Sequence, residues 1–151
     1  MGDEYRNDVK LATIEDVENV TSLAMLLWEG HEASELKEEF EQLIASEQCA
    51  VFIFKEKEQA IGFAQCQLRV DYVEGTETSP VGYLEGVFVL EQYRKRGIAR
   101  DLVQYCEQWA TQKGCSEFAS DCELENEASA KFHAAMGFIE ANRIICFKKK
   151  I

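Results

Sequence analysis

The spacing of apolar residues along the chain predicts an alternation of strands and helices. Apolar residues three or four positions apart are typical of a helix with one buried face, whereas short apolar runs rich in β-branched and aromatic residues are typical of strands. Helices are predicted over 14–27, 32–46, 97–113 and 127–136. Strands are predicted over 9–12, 50–54, 61–70, 84–90, 117–121 and 139–147. The predicted order is therefore βααβββαβαβ.

The stretch from Leu84 to Leu102 is the most informative part of this pattern. It begins with the apolar run 84–90, changes to the basic turn Arg94-Lys95-Arg96-Gly97, and continues as a helix with one apolar face. The first N–H groups of a helix lack intrahelical partners and favour negative charge. Gly97 carries no side chain that would obstruct an approaching group. The stretch therefore predicts a phosphate-binding turn.

The charge distribution supports this prediction. The 151 residues carry a formal net charge of −12, yet Arg94, Lys95, Arg96 and Arg100 place four positive charges within seven positions. Backbone amides assisted by Arg and Lys side chains are a suitable site for a pyrophosphate. The alternative is a solvated basic turn that interacts with neighbouring acids. The turn matches neither the GxxxxGK[ST] motif nor the GxGxxG motif.

Composition narrows the class of protein. With 151 residues, 46% of them apolar, the chain is expected to form a single domain over 1–151. The negative net charge is unfavourable for binding nucleic acid and suits a cationic partner. Neither a membrane span nor a signal peptide is predicted, so we expect a cytoplasmic protein without membrane contact. The six cysteines form no CxxC pair, so no metal site is expected.

Two motifs resemble those of a known family. The sequence Arg94-Lys95-Arg96-Gly97-Ile98-Ala99 resembles the (Q/R)xxGx(G/A) acyl-CoA loop of the GCN5-related N-acetyltransferases (GNAT). Downstream, Asn126, Phe132-His133 and Gly137-Phe138 resemble the second motif of that family, NxxxxxΦ(Y)xxxGF. The resemblance covers nearly the whole chain. It implies an α/β (α+β) GNAT fold, in which a mixed, mainly antiparallel central sheet is splayed near its middle and carries helices on both faces.

The resemblance also implies that acetyl-CoA is the co-substrate. Its pyrophosphate is expected on the basic turn, and its pantetheine arm along the open edge of the strand 84–90, as an added strand would lie. The residues implied at this site are Val87, Phe88, Val89, Lys95, Arg96, Gly97, Ile98, Ala99, Arg100 and Asn126.

Acetyl transfer to an amine requires a base, because an amine of high pKa is protonated near neutral pH. Glu85 is the predicted base, since a lone acid within an apolar run is costly unless it is paired or used. The alternative is an edge-facing acid that the strand tolerates. Asp121 is expected at the end of the neighbouring strand and is predicted to hold the substrate cation, which is the same protonated amine. The alternative is that Asp121 caps a helix or has a role in a loop.

Several shorter runs make the chain similar to a narrower group, the aminoglycoside 6'-N-acetyltransferases. These runs are WEGH at 28–31, DYVEG at 71–75, SP at 79–80, LEGVFVL at 84–90 and ASD at 119–121. The resemblance implies acetylation of the 6'-amino group of an aminoglycoside antibiotic, and hence resistance to it. The implied substrate-binding residues are Trp28, His31, Tyr72, Glu85, Asp121 and Asn142. For Trp28, core packing at a helix end is the alternative.

Three questions remain open from the sequence. His133 lies where many relatives of this kind place the tyrosine that protonates the leaving thiolate, and it either donates that proton or fills the position. An alternative acetyl acceptor is a polyamine or a protein amine. A third hypothesis is that the chain is a non-catalytic module that binds acyl-CoA. Relatives are often homodimers, and the edge of the last predicted strand is the expected seam.

Overall fold

The computed structural model describes residues 8–151, and residues 1–7, for which the sequence predicts no signal peptide, lie outside that range. Within it the chain forms five strands and four α-helices. The strands are β1 (Val9–Leu11), β2 (Cys49–Glu56), β3 (Gln59–Arg69), β4 (Val81–Val89) and β5 (Phe118–Ala119). The helices are α1 (Val17–Leu27), α2 (Ala33–Ala45), α3 (Ile98–Gln112) and α4 (Glu127–Ala135). Every element predicted before residue 137 is present, in the predicted order.

The strands form one mixed sheet in the order β1-β2-β3-β4-β5. The first four strands pair antiparallel, whereas β4 and β5 pair in parallel. This last pairing is short, because it consists of Gly82 opposite Phe118 and Tyr83 opposite Ala119. From Leu84 onward β4 and β5 part, and β4 pairs with β3 on one side only. The predicted fold class is confirmed, including the splayed sheet.

Alternating residues of the strands bury their side chains on opposite faces of the sheet. On β2, Val51 and Ile53 pack under α1 and α2, while Phe52 and Phe54 pack under α3. Helices therefore cover both faces, as predicted. Full burial of one such apolar side chain contributes about 1.5–3 kcal/mol to the free energy of unfolding. The buried thiols of Cys66 and Cys106 belong to the core beneath α3, whereas Cys146 is exposed.

One buried acid fastens β1 and β2 to the start of α1. The Asp16 carboxylate accepts hydrogen bonds from the backbone N–H of Thr13 at 2.8 Å and lies 2.9 Å from the ammonium groups of both Lys10 and Lys55. Burial by itself would raise the pKa of this carboxyl. The Thr13 N–H and the two ammonium groups outweigh burial and hold the pKa well below its ordinary value.

The prediction of a last strand over 139–147 is wrong for the single chain. Residues 138–151 have no strand or helix, and Ile139, Ile144, Ile145 and Phe147 are between 65% and 91% exposed. The polar contacts of this segment include Asn142 Nδ2, which donates to Glu74 Oε1 at 2.8 Å, and Arg143, which pairs with Glu140. The apolar pattern of a strand is present, but in the described chain no neighbouring strand pairs with it.

Candidate active site

A β-bulge places the predicted base. In the pairing of β3 with β4, Cys66 lies opposite Leu84 and Gln65 lies opposite Gly86, so Glu85 is the extra residue on β4. A bulge of this kind redirects a side chain and bends its strand, and bulges are common beside active sites. The Glu85 side chain is 24% exposed. Glu85 lies two positions after Tyr83, the last residue of β4 that pairs with β5, at the fork between the two strands.

Glu85 belongs to a network that joins it to Asp121, the acid predicted to hold the substrate cation. Arg69, the last residue of β3, donates from Nη2 to Glu85 Oε1 at 2.7 Å, and its guanidinium carbon lies 3.5 Å from the centre of the Tyr83 ring. The Tyr83 hydroxyl in turn donates a hydrogen bond to Asp121 Oδ2. The structure therefore brings Glu85 and Asp121 into one cluster, with Arg69 and Tyr83 between them.

The environment of Tyr83 keeps its hydroxyl protonated. Burial, and then the hydrogen bond to Asp121 and the negative charge of that residue, raise the pKa of Tyr83 well above its ordinary value. A protonated phenol is a hydrogen-bond donor, so it orients the Asp121 carboxylate. Asp121 itself is exposed. One of its oxygens is thus fixed by Tyr83, while the residue as a whole remains accessible to a cation from solvent.

The basic turn leads into α3 as the sequence predicted. Gly97 occupies the N-cap position with φ of +79°, and Lys95 also has a positive φ of +67°. Because Gly97 has no side chain to cap the helix, the first-turn amides of α3 are left for a ligand or solvent. Arg94 Nε donates to the Val89 carbonyl at 2.8 Å, which ties the turn to the end of β4. The donor set fits a phosphate group.

The other residues predicted for acetyl-CoA divide into two groups. Val87 and Val89 pack beneath α3 and Phe88 packs on the opposite face, so these residues present their backbone at the open edge of β4. Asn126 caps α4, and its Oδ1 accepts a hydrogen bond from the Ser129 N–H at 3.0 Å. Its side-chain oxygen is therefore already engaged, and its acyl-CoA contact stays a prediction.

The residues predicted to bind the acceptor differ in their surroundings. Trp28 is the C-cap residue of α1 and packs against Phe40 and Phe63. It lies so close to Gly86 that a Cβ at that residue would meet the Trp28 ring at 2.6 Å. It therefore packs in the core and also contacts the residue after Glu85. Tyr72 is 77% exposed, next to Val73, which is buried against β4. His31 is exposed in the turn between α1 and α2, and Asn142 bonds to Glu74 instead of joining the cluster.

Sequence reasoning missed Arg69, Tyr83 and Ser120. Tyr83 lies two positions before Glu85 on the same strand, which was an available signal, since alternate residues of a strand share a face. Arg69 gave only the weak signal of a basic residue at the end of an apolar run. Ser120 lies within the run ASD at 119–121, but its contact with His133 depends on how α4 packs. In the described chain, no group of three or more His, Cys, Asp or Glu residues is arranged to hold a metal ion.

The fold and this cluster define a class of protein that comparison with known proteins identifies. The profile of the acetyltransferase (GNAT) family matches residues 17–138. The chain belongs to this family, and the predicted family and enzyme class are confirmed. Among residues 8–151, no helix is long and apolar enough to cross a membrane.

Within the family, the chain is similar to a narrower group of proteins. It is 44% identical over 130 residues to an aminoglycoside N(6')-acetyltransferase type 1 from Acinetobacter baumannii, which covers 86% of this chain and 89% of that protein. It is 39% identical to an enzyme of the same name from Salmonella enteritidis, over 95% of this chain and 99% of that one. The solved structure of AAC(6')-Iy in complex with the bisubstrate analog CoA-S-monomethyl-acetylneamine superposes with a TM-score of 0.91 at 39% identity, covering 95% and 98% of the two chains.

Proposed function

We propose that this protein transfers the acetyl group of acetyl-CoA to the 6'-amino group of an aminoglycoside antibiotic, and that it thereby confers resistance. The observation that carries the proposal is the fork between β4 and β5. It places the Glu85 carboxylate beside the open edge of β4, in one cluster with Asp121. The similarity to aminoglycoside N(6')-acetyltransferases over 86–95% of the chain supports the same substrate.

On the donor side, the residues present fit acetyl-CoA. The first-turn amides of α3, with Lys95, Arg96 and Arg100, would hold its pyrophosphate, and the backbone of 87–89 would pair with its pantetheine arm. Bound there, acetyl-CoA supplies an activated acetyl thioester. The protein contributes the position of that group, with backbone N–H groups at the open edge available to polarise the acyl carbonyl.

On the acceptor side, the cluster suits an ammonium group. Glu85 and Asp121 provide two carboxylates, and Trp28 and Tyr72 provide aromatic surface for a sugar face. In the free protein Arg69 pairs with Glu85. An ammonium that enters the fork therefore shares or replaces the guanidinium on that carboxylate. Glu85 then takes the proton that the amine loses before it attacks the acyl carbon.

The proposed substrate is tested by thiol release from acetyl-CoA with a panel of acceptors. The panel contains a 6'-amino aminoglycoside, its 6'-hydroxy counterpart, spermidine and a lysine peptide. Turnover of the 6'-amino compound alone is the expected result. Equal turnover of the 6'-hydroxy compound would contradict the assigned position, and faster turnover of spermidine or the peptide would favour a polyamine or protein acceptor.

We further propose that the chain acts as one domain over 1–151, in the cytoplasm where acetyl-CoA is available, and as a homodimer. β5 is the last strand of the described sheet, and the exposed apolar segment 139–147 follows α4 without a strand partner. In a dimer, each copy would offer an open sheet edge with which the apolar segment 139–147 of the other copy could pair as a strand.

Light scattering should give twice the chain mass. Ile145→Asp should shift the protein towards the monomer, whereas Ile14→Asp, at another exposed isoleucine, should not. A monomeric wild type would overturn this part of the proposal.

A further inference from the structure

His133 has both ring nitrogens engaged. Nδ1 lies 2.7 Å from the backbone carbonyl of Ser129, and Nε2 lies 2.8 Å from Ser120 Oγ. A carbonyl oxygen can only accept a hydrogen bond, so Nδ1 carries a proton whether the ring is neutral or charged. Nε2 is therefore the nitrogen that gains or loses a proton, and it is the nitrogen that contacts Ser120.

The packing around His133 fixes this orientation. Its ring meets Phe132 and Phe138 edge-on, with ring centres 5.8 Å and 5.2 Å away. Together with the bond to the Ser129 carbonyl one turn earlier in α4, these contacts aim Nε2 towards the strand that precedes the helix. The imidazole is half-buried, so it can exchange protons with solvent while its ring position stays fixed.

Ser120 lies at the fork between β4 and β5. It follows directly after Ala119, the last residue that pairs with β4, and its Oγ is 3.2 Å from the Leu84 carbonyl. Leu84 immediately precedes the bulge residue Glu85. The Ser120 hydroxyl thus lies between the His133 imidazole and the open edge of β4, which is the edge assigned above to the pantetheine arm.

Each proton state of the pair has a complete set of hydrogen bonds. With neutral His133, the Ser120 hydroxyl donates to Nε2. With His133 charged, Nε2–H donates to Ser120 Oγ, and the hydroxyl proton is free to point at the Leu84 carbonyl or at a group in the cleft. The charged form therefore presents a hydroxyl donor to the fork without leaving a buried polar atom unpaired.

We propose that Ser120 is the acid that protonates the leaving thiolate of coenzyme A, and that His133 resupplies its proton. This inference rests on the proposed acetyl transfer from acetyl-CoA but not on the identity of the acceptor. As the amine nitrogen bonds to the acyl carbon, the carbon–sulfur bond breaks and its electron pair stays on sulfur. Sulfur takes the Ser120 hydroxyl proton, and Ser120 takes the Nε2 proton of His133. The imidazole then recovers a proton from solvent, while Glu85 holds the proton lost by the amine.

A purely structural role makes a different prediction. If the Ser120 hydroxyl only ties β5 to the Leu84 carbonyl, its removal should loosen the fork, which would lower the melting temperature and raise the KM for acetyl-CoA. If it delivers a proton, its removal should lower kcat and leave both KM values and the affinity for coenzyme A unchanged. The division between kcat and KM therefore separates the two roles.

The experiment compares Ser120→Ala, Ser120→Thr, His133→Phe and the double variant Ser120→Ala/His133→Phe in thiol release with saturating acceptor. Threonine retains a hydroxyl. Phenylalanine retains a ring between Phe132 and Phe138 but has no ring nitrogen that could donate a proton. Ser116→Ala, which removes a serine hydroxyl before the other end of β5, is the matched control. Thermal melting and calorimetric titration with coenzyme A report folding and cofactor binding for each variant.

We expect Ser120→Ala and His133→Phe each to lower kcat about tenfold to hundredfold. The double variant should be no worse than either single one, because the two groups act in series. Ser120→Thr, which keeps the hydroxyl, should recover most of the kcat lost in Ser120→Ala, and Ser116→Ala should stay within about threefold of wild type. Unchanged kcat in Ser120→Ala, or losses that multiply in the double variant, would overturn the relay. If the wild type acetylates an amine other than the aminoglycoside, only the proposed acceptor fails and the relay is tested with that amine. A wild type without activity on any amine overturns both.

Discussion

Asp16 and Glu85 are both carboxylates paired with basic side chains, yet their surroundings differ. The Asp16 side chain is 3% exposed and contacts two ammonium groups and a backbone N–H, so its partners are fixed. Glu85 is 24% exposed and has one guanidinium partner, Arg69, which is itself 38% exposed. A buried carboxylate with several partners cannot exchange them without a large desolvation cost, whereas a half-exposed pair can. The first arrangement suits a structural link and the second suits a site that admits a substrate cation.

The largest expected effect comes from removing the charge at Glu85. Glu85→Gln keeps the size of the side chain and its place in the bulge but leaves no base, so kcat should fall by about 10²- to 10⁴-fold. The melting temperature should change little, since the pair with Arg69 is partly exposed. Steady-state kinetics and thermal melting measure the two effects. Glu38→Gln, an exposed position on α2, is the matched control. If the variant instead lost stability while its folded fraction kept the wild-type kcat, Glu85 would have a structural role like that of Asp16.

Asp16→Asn should have the opposite profile. It leaves the ammonium groups of Lys10 and Lys55 beside a neutral side chain, which should lower the free energy of unfolding by about 3–5 kcal/mol. The kcat of the folded fraction should stay at the wild-type value. Urea unfolding, followed by kinetics at a temperature where the variant is folded, tests both statements. A large decrease in kcat would contradict the division between the two acids.

The same acid predicts how stability depends on pH. Because the folded protein holds the pKa of Asp16 below its ordinary value, this carboxylate stabilises the fold fully above the unfolded pKa of about 4, and the contribution is lost as the pH falls below that value. The difference in unfolding free energy between wild type and Asp16→Asn should therefore be constant from pH 5 to 7 and shrink below pH 4. A difference in unfolding free energy that grew as the pH fell would contradict this prediction.

Arg69→Gln tests whether the partner of Glu85 competes with the substrate. Removing the guanidinium frees the carboxylate, so the KM for the aminoglycoside should fall by up to about fivefold, the range of one partly exposed ion pair. The KM for acetyl-CoA should not change. A rise in the aminoglycoside KM would instead show that Arg69 supports the pocket through its contact with Tyr83.

The smallest expected effect is that of salt on the wild type. Ion pairs of a polycation with exposed carboxylates are screened at high ionic strength. Raising salt from 0.05 to about 0.5 M should therefore increase the KM for the aminoglycoside several-fold, and more than the KM for acetyl-CoA. Equal increases would argue against electrostatic recognition of the acceptor by this acidic chain.

Local patterns predicted most of the fold. The stretch from Leu84 to Leu102 combines a strand, a glycine turn and an amphipathic helix, and each of these depends on residues close in sequence. The family motifs in this stretch and near Asn126 therefore led to the correct fold class and enzyme class. The roles predicted for the individual site residues stay predictions.

The remaining parts depend on contacts that local patterns do not contain. Arg69 meets Glu85 across 16 positions only because of the β3–β4 register and the bulge. His133 reaches Ser120 only because α4 packs against the end of β5. The apolar pattern at 139–147 is real, but a strand also needs a partner, and none pairs with it within the described chain. Each of these cases requires knowledge of which distant element lies beside the residue.

The position of the acetyl group in the product tests the proposed transfer most directly. Wild type, Asp16→Asn and Glu85→Gln are each incubated with ¹³C-acetyl-CoA and a 6'-amino aminoglycoside, and the product is analysed by NMR. We expect a single acetyl group on the 6' nitrogen, formed at similar rates by folded wild type and Asp16→Asn and far more slowly by Glu85→Gln. An acetyl group on another amine, or equal rates for Glu85→Gln and wild type, would contradict it.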